Sequence, residues 1–210
     1  MNTIYNSNPF TSSELHIELS QNTVLTSDIT ITSNNYFVFG QDGITFDGNN
    51  KTITIKDTTS QYPGLFKNGD AVMDGKANIT IKNVKIVITN VKVSQKSGTL
   101  CQYFFGRNST NNLVENCSVT GNLTGFKSSG FFGENTGYFH GEVTAKNCSF
   151  NGDITAQHSS GIFGQLSGST SGTVTAKNCY MIGNIFANNS IGIFGNNAGA
   201  TSGIALAENC

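Results

Sequence analysis

Val143-Thr144-Ala145-Lys146 and Val174-Thr175-Ala176-Lys177 alternate apolar and polar side chains. That period of two puts Val and Ala on one face of a strand and Thr and Lys on the other. A helix of comparable length would need apolar residues three and four apart over ten or more positions, and these segments lack that spacing. The strand pattern recurs at a fixed distance. Cys117, Cys148, Cys179 and Cys210 lie 31 residues apart and close the tetrapeptides VENC, AKNC, AKNC and AENC. The same step carries Gly121 onto Gly152 and Gly183, Leu123 onto Ile154 and Ile185, and the Gly130/Phe132/Gly133 block onto 161/163/164 and 192/194/195. Each repeat reads as strand, bend, strand, bend, strand, loop. One such coil cannot bury its apolar face alone, whereas coils stacked about 4.8 Å apart pair their backbones and turn inward residues into columns. The prediction is an all-β, right-handed parallel β-helix of about six coils, with a 31-residue repeat in its carboxyl-terminal half.

Earlier coils are less regular. Asn83-Val84 lies 33 residues before Asn116-Cys117, and Phe66 and Phe105 are expected to occupy the place of Phe132. GITFDGNNKTITIKD (43–57) reads as turn and strand, and residues 13–32 as strands that cap the amino end. This divides the chain into an amino-terminal segment with cap strands (1–33) and the β-helix (34–210). The segment 197–210 has no polar or helical cap, so the helix is expected to continue past Cys210 or to dock on a partner.

Four columns follow. Asn116, Asn147, Asn178 and Asn209 should form an asparagine ladder that satisfies buried polar atoms at a bend. Cys117, Cys148, Cys179 and Cys210 should be a column of reduced thiols serving as small hydrophobes, because parallel side chains do not aim at one another as disulfides or metal sites require. Phe132, Phe163 and Phe194, with Phe66 and Phe105, should stack inside. The neighbouring apolar position (Leu65, Phe104, Phe131, Ile162, Ile193) demands a bend between the columns or a cover over one of them.

Composition narrows the function. Charged residues are only 12% of the chain, the net charge is −1 and Arg107 is the single arginine, so no basic stripe exists to neutralise a run of phosphates. Nucleic acid is therefore not an expected partner. No Sec-type signal opens the chain and no stretch approaches a membrane span. Persisting thiols point to assembly in a reducing compartment. Neither a metal nor a cofactor is expected. Acids after residue 114 (Glu115, Glu134, Glu142, Asp153, Glu208) occupy different positions of the coil, and Asp42, Asp47, Asp57, Asp70 and Asp74 read as turn residues. Catalytic residues are accordingly expected to be none. The stacked segments 134–141, 165–172 and 196–203 are where recognition on a rigid solenoid commonly sits.

GITFDGNNKTITI followed by repeated G(I/L/F)FG and (A/V)(K/E)NC blocks resembles the right-handed β-helix proteins of the pectate-lyase-like superfamily. In particular it resembles the GLUG-type repeats of microbial surface proteins and the β-helix proteins encoded by large DNA viruses. The resemblance spans the chain from about residue 13 and is specific for fold only, since that fold serves lyases, hydrolases, adhesins and fibres. Because the acids are scattered around the coil, the expectation is a non-catalytic structural or surface-binding module of a larger surface or virion assembly, with other protein subunits as partners and a surface glycan as a candidate ligand. The alternatives are a polysaccharide-degrading hydrolase or lyase and a carbohydrate-binding adhesin. Exposed aromatic rings beside the variable loops would favour the adhesin.

Overall fold

In the computed structural model, which describes residues 2–10, 15–58 and 61–210, the chain is a parallel β-solenoid of about five turns, with no helix among those residues. Three sheets run along it. The first contains eight strands: Thr3–Tyr5, Thr23–Leu25, Thr45–Asp47, Thr80–Lys82, Asn112–Glu115, Glu142–Lys146, Thr173–Lys177 and Ile204–Glu208. The second contains six: Ile29–Ile31, Thr52–Lys56, Lys85–Thr89, Ser118–Thr120, Ser149–Asn151 and Tyr180–Ile182. The third begins with His16–Leu19, Tyr36–Phe39 and Phe66–Lys67 and continues as single parallel bridges through Cys101, Phe132, Phe163 and Phe194.

The alternation read from the sequence sets the register. Val143 pairs with Val174 and Ala145 with Ala176, all buried, while Thr144 and Thr175 face outward. A slip of one residue would turn each apolar face to solvent, which is why register is tightly specified here. Stacking also dictates glycine at the loop exits. A Cβ on Gly172 would lie 1.9 Å from the Gly137 carbonyl oxygen, and one on Gly203 1.8 Å from that of Gly168. No side chain larger than hydrogen fits between those coils.

The column assignments need two corrections in the irregular coils. Cys101, not Phe105, pairs with Phe66 and Phe132, and the residue before it, Leu100, takes the place expected for Phe104. The small thiol leaves room that Phe105 fills from the loop side, with its ring edge-on to Phe132 at 5.8 Å. Above that point the column is regular. Phe132 and Phe163 stack at 4.6 Å and 6°, and Phe163 and Phe194 at 5.3 Å and 17°. The adjacent residues Phe131 and Ile162 are also fully buried, because the chain bends at Gly130-Phe131 and Gly161-Ile162. At the amino end Tyr5 and Phe10 lie over Phe37, at 6.1 and 4.9 Å between ring centroids. Thr11 and Ser12, in the expected amino-terminal segment, and Ser13 and Glu14, at the start of the expected cap strands, lie outside the described residues.

Candidate ligand-binding site

The asparagine column forms, and it is longer than the repeat alone suggested. Each Nδ2 donates to the Oδ1 of the coil below, from Asn209 to Asn178 (3.3 Å), Asn178 to Asn147 and Asn147 to Asn116 (3.0 Å each), Asn116 to Asn83 (3.5 Å) and Asn83 to Asp47 (3.0 Å). The expectation of burial is corrected: Asn116, Asn147, Asn178 and Asn209 are exposed. What demands Asn there is the left-handed backbone, with φ between 51° and 55° at these corners, which Asn tolerates better than any β-branched or bulky residue. At the foot of the ladder, burial opposes ionisation of Asp47. The Asn83 amide, the Asn49 N–H and Lys82 outweigh it and hold the carboxyl below its ordinary range.

Behind this corner Cys117, Cys148 and Cys179 are buried free thiols, while Cys210 is exposed and also free. Each of the four makes the same pair of contacts, its Sγ donating to the carbonyl two residues back and to one 34 or 36 residues back in the coil below. Burial pushes the Cys148 thiol up. At Cys179 the neighbouring Cys148 thiol and then burial do the same. Buried hydroxyls form a further set of columns that sequence reading missed. Ser129 and Ser160 donate to the carbonyls of Ile162 and Phe163, and Thr136 and Ser167 to those of Gly133 and Gly164. Their 31-residue spacing was visible, but Ser and Thr at a corner read equally well as exposed turn residues.

The acids are spread around the solenoid. Lys or Arg side chains pair with Asp47, Asp70, Asp74, Glu115, Glu134 and Glu208. Asp28, Asp42, Asp57 and Asp153 accept hydrogen bonds that tie neighbouring coils together. Glu134 is buried and bonded to Lys96 at 3.1 Å. Among the described residues, no group of three or more His, Cys, Asp or Glu could hold a metal ion.

The segments 134–141, 165–172 and 196–203 stack as expected and are tied by backbone bonds, such as Asn135 N–H to the Gln165 carbonyl and Gly168 N–H to that of Thr136. One of them differs in kind. Tyr138, Phe139 and His140 stand where the next coils carry Ser169-Thr170-Ser171 and Ala200-Thr201-Ser202. Phe139 and His140 keep the left-handed backbone of those positions (φ 54° and 62°), an uncommon conformation for bulky side chains. Phe139 is 40% exposed, with the Arg107 guanidinium 5.9 Å from its ring centroid. Arg107 is in turn held by Asp74.

Another opening comes from a change of coil length. Val87 pairs with Thr120, an offset of 33, but Gly98 bridges Ser129, an offset of 31. The lower coil therefore carries two more residues between those points than the upper, and its ladder opens. Thr155 and Phe186 donate N–H bonds to Leu123 and Ile154 in the coils beneath them. Thr124, the equivalent residue one coil lower, has no such backbone bond among the described residues. Two cavities of about 540 and 400 Å³ occupy this seam and share Lys92 and Thr124. The first is lined by residues 88–92 with Gly121, Asn122 and Thr124, and the second adds Gln61, Gln95, Phe126 and Gln157. Phe126 is 41% exposed, with His158 edge-on at 5.5 Å and the Lys127 ammonium 5.7 Å from its centroid.

No family model, curated protein or solved structure matches this chain. The seam presents side-chain amides, hydroxyls, the apolar residues Ile88, Val91, Val93 and Ala156 and one aromatic ring, with Lys92 as the only charged lining residue. Such a lining can both donate to and accept from a neutral ligand rich in hydroxyls, and it offers a ring face for apolar C–H groups.

Proposed function

We propose that this chain is a non-catalytic, surface-binding β-helix module of a larger surface or virion assembly. We further propose that it holds a neutral glycan in the seam between residues 88–95 and 121–126. The proposal extends the resemblance to GLUG-type surface repeats within the pectate-lyase-like superfamily. The observation that carries it is the seam itself: two neighbouring cavities that share Lys92 and Thr124 and are otherwise lined by amides, hydroxyls and aliphatic side chains, with a half-open aromatic ring at one end. The paired acids support a binding role over a hydrolytic one. Acid and base catalysis on a glycosidic bond needs two free carboxyl groups facing each other across the substrate, and the seam lining contributes none.

The test is a glycan-array screen run with an assay for new reducing ends. Retained glycan without cleavage is expected, with Phe126→Ala and Gln157→Ala each weakening binding about tenfold, the ~1.4 kcal/mol loss of one good contact. Thermal unfolding should not change, since both side chains line an open surface. Release of reducing ends would overturn the non-catalytic reading, and binding insensitive to both substitutions would move the site away from the seam.

A further inference from the structure

A second set of open side chains lies on the loop side of the stack. Tyr103 and Phe104 of one coil and Tyr138, Phe139 and His140 of the next form a continuous row of rings, with successive centroids 5.7, 5.5, 6.3 and 4.9 Å apart. Tyr103 and Phe139 are 39% and 40% exposed, and His140 is exposed as well. Single surface rings need no explanation, whereas a contiguous set marks an interaction surface. The fold does not ask for these rings. One coil up, Thr170 and Ser171 hold the same left-handed backbone as Phe139 and His140 (φ 57° and 62°) with small polar side chains. Arg107 braces the row, its guanidinium lying over Phe139 while Asp74 holds it in place.

We infer that this row holds the onward stretch of the glycan that occupies the seam, and that the glycan is an unbranched, β-1,4-linked chain of neutral hexopyranoses. The inference rests on the seam reading above. Continuity is its first support. Gln95 lines the seam, and the next residue, Lys96, bonds Glu134 at 3.1 Å. Beside Glu134, a Cβ on Gly133 would lie 2.6 Å from the Lys96 carbonyl oxygen and 2.7 Å from the Tyr103 nitrogen. Seam and row therefore adjoin at Lys96 and Tyr103. Charge is the second support. Lys96 is paired with Glu134 and Arg107 with Asp74, and a cationic ligand would meet the guanidinium already over Phe139. A neutral ligand is what this leaves. The third is chemical. The hydroxyls of Tyr103, Tyr138, Thr170 and Ser171 both donate and accept, as sugar hydroxyls do, whereas the proline backbone of a proline-rich peptide only accepts. Sugars with equatorial hydroxyls turn C–H bonds to both flat faces, and a tyrosine ring, with its apolar body and polar tip, complements such a surface. A β-1,4 linkage between equatorial positions keeps successive sugars extended, so one chain can follow a line of rings.

Calorimetric titration of the full 210-residue chain with cellohexaose and chitohexaose, each beside its disaccharide, tests this. In at least one series the hexamer should bind about tenfold tighter than the disaccharide or better, because the second stretch binds at the effective concentration set by the first. Phe139→Thr and Tyr103→Gln introduce residues that the coils above carry at those positions, Thr170 and Gln165, so circular dichroism and melting temperature should hold. Each should remove most of the hexamer's advantage and leave disaccharide binding unchanged, whereas Phe126→Ala should weaken both lengths. Equal affinity for the two lengths, or hexamer binding that neither row variant changes, overturns the inference and leaves the seam reading standing. Failure of both hexamers to bind overturns it too, and the glycan array then decides the seam separately. A decaproline peptide that binds the wild type and not Phe139→Thr would assign the row to a protein partner and overturn the inference as well. Should either row variant fail to fold, Tyr138→Ser, the residue of Ser169 one coil up, gives the same reading.

Discussion

Replacing Phe163 by alanine tests whether the aromatic column holds the stack together. The ring has no solvent exposure and lies between Phe132 at 4.6 Å and Phe194 at 5.3 Å, nearly parallel to both. Removing it forfeits about 2–3 kcal/mol of transfer free energy. The vacated space, roughly 100 Å³, adds about 2 kcal/mol at ~24 cal/mol per Å³ if the walls stay put. Partial collapse is restricted, because the ring's neighbours are fixed by backbone pairing above and below. The expected loss is therefore about 3–5 kcal/mol. Coils couple mainly to their nearest neighbours, so the effect should concentrate in the coils carrying Phe132, Phe163 and Phe194 and need not weaken the amino end equally. Urea unfolding followed by circular dichroism gives the total, and amide exchange at residues 160–164 gives the local part. A loss below 1 kcal/mol, or unchanged exchange at those amides, would refute the assignment of this ring to the load-carrying interior. Phe186→Ala is the control. Its ring is outward and mostly exposed, and substitution should change monomer stability by no more than about 0.5 kcal/mol.

Three further outcomes are expected. Asn147→Ala should destabilise by about 1–2 kcal/mol, because a left-handed corner costs alanine about that much and two ladder bonds are lost; Asn147→Gly should cost less, and equal costs would show that the ladder, not the backbone, is what matters. Under native conditions a thiol reagent should modify Cys210 within seconds and Cys101, Cys117, Cys148 and Cys179 only as fast as the coils open; rapid reaction of more than one thiol contradicts the burial. Stability should fall with rising alkalinity: below about pH 8.5 Cys101, Cys148 and Cys179 are protonated in both states, whereas above it the unfolded chain ionises and the fold, which raises all three thiols, does not. The slope is then up to about 1.4 kcal/mol per pH unit per thiol, or roughly 4 kcal/mol between pH 9 and 10, and a Cys148→Ala variant should show a correspondingly shallower slope in urea titrations.

Much of this architecture is legible in the amino acids because a solenoid turns a linear period into a spatial column. A 31-residue step, repeated with strict alternation inside each strand, leaves one register that keeps Val143, Val174, Ala145 and Ala176 inside together. The corner asparagines and the thiol column follow from the same translation. Three things needed the folded chain. Where coil lengths are unequal the step is not constant, and backbone pairing together with ring size decided that Cys101 enters the aromatic column while Phe105 packs beside it. The same inequality, two extra residues between Val87 and Gly98, opened the seam, and no local motif announces a gap between two coils. Exposure was the third. Asn at a corner and Ile on a strand carry the same letters whether covered or not, and only the stacked arrangement turned the asparagine ladder and the side chains of Tyr180, Ile182, Phe186, Ile204 and Leu206 outward. Periodicity is a property of the chain, whereas burial depends on what every other coil leaves uncovered.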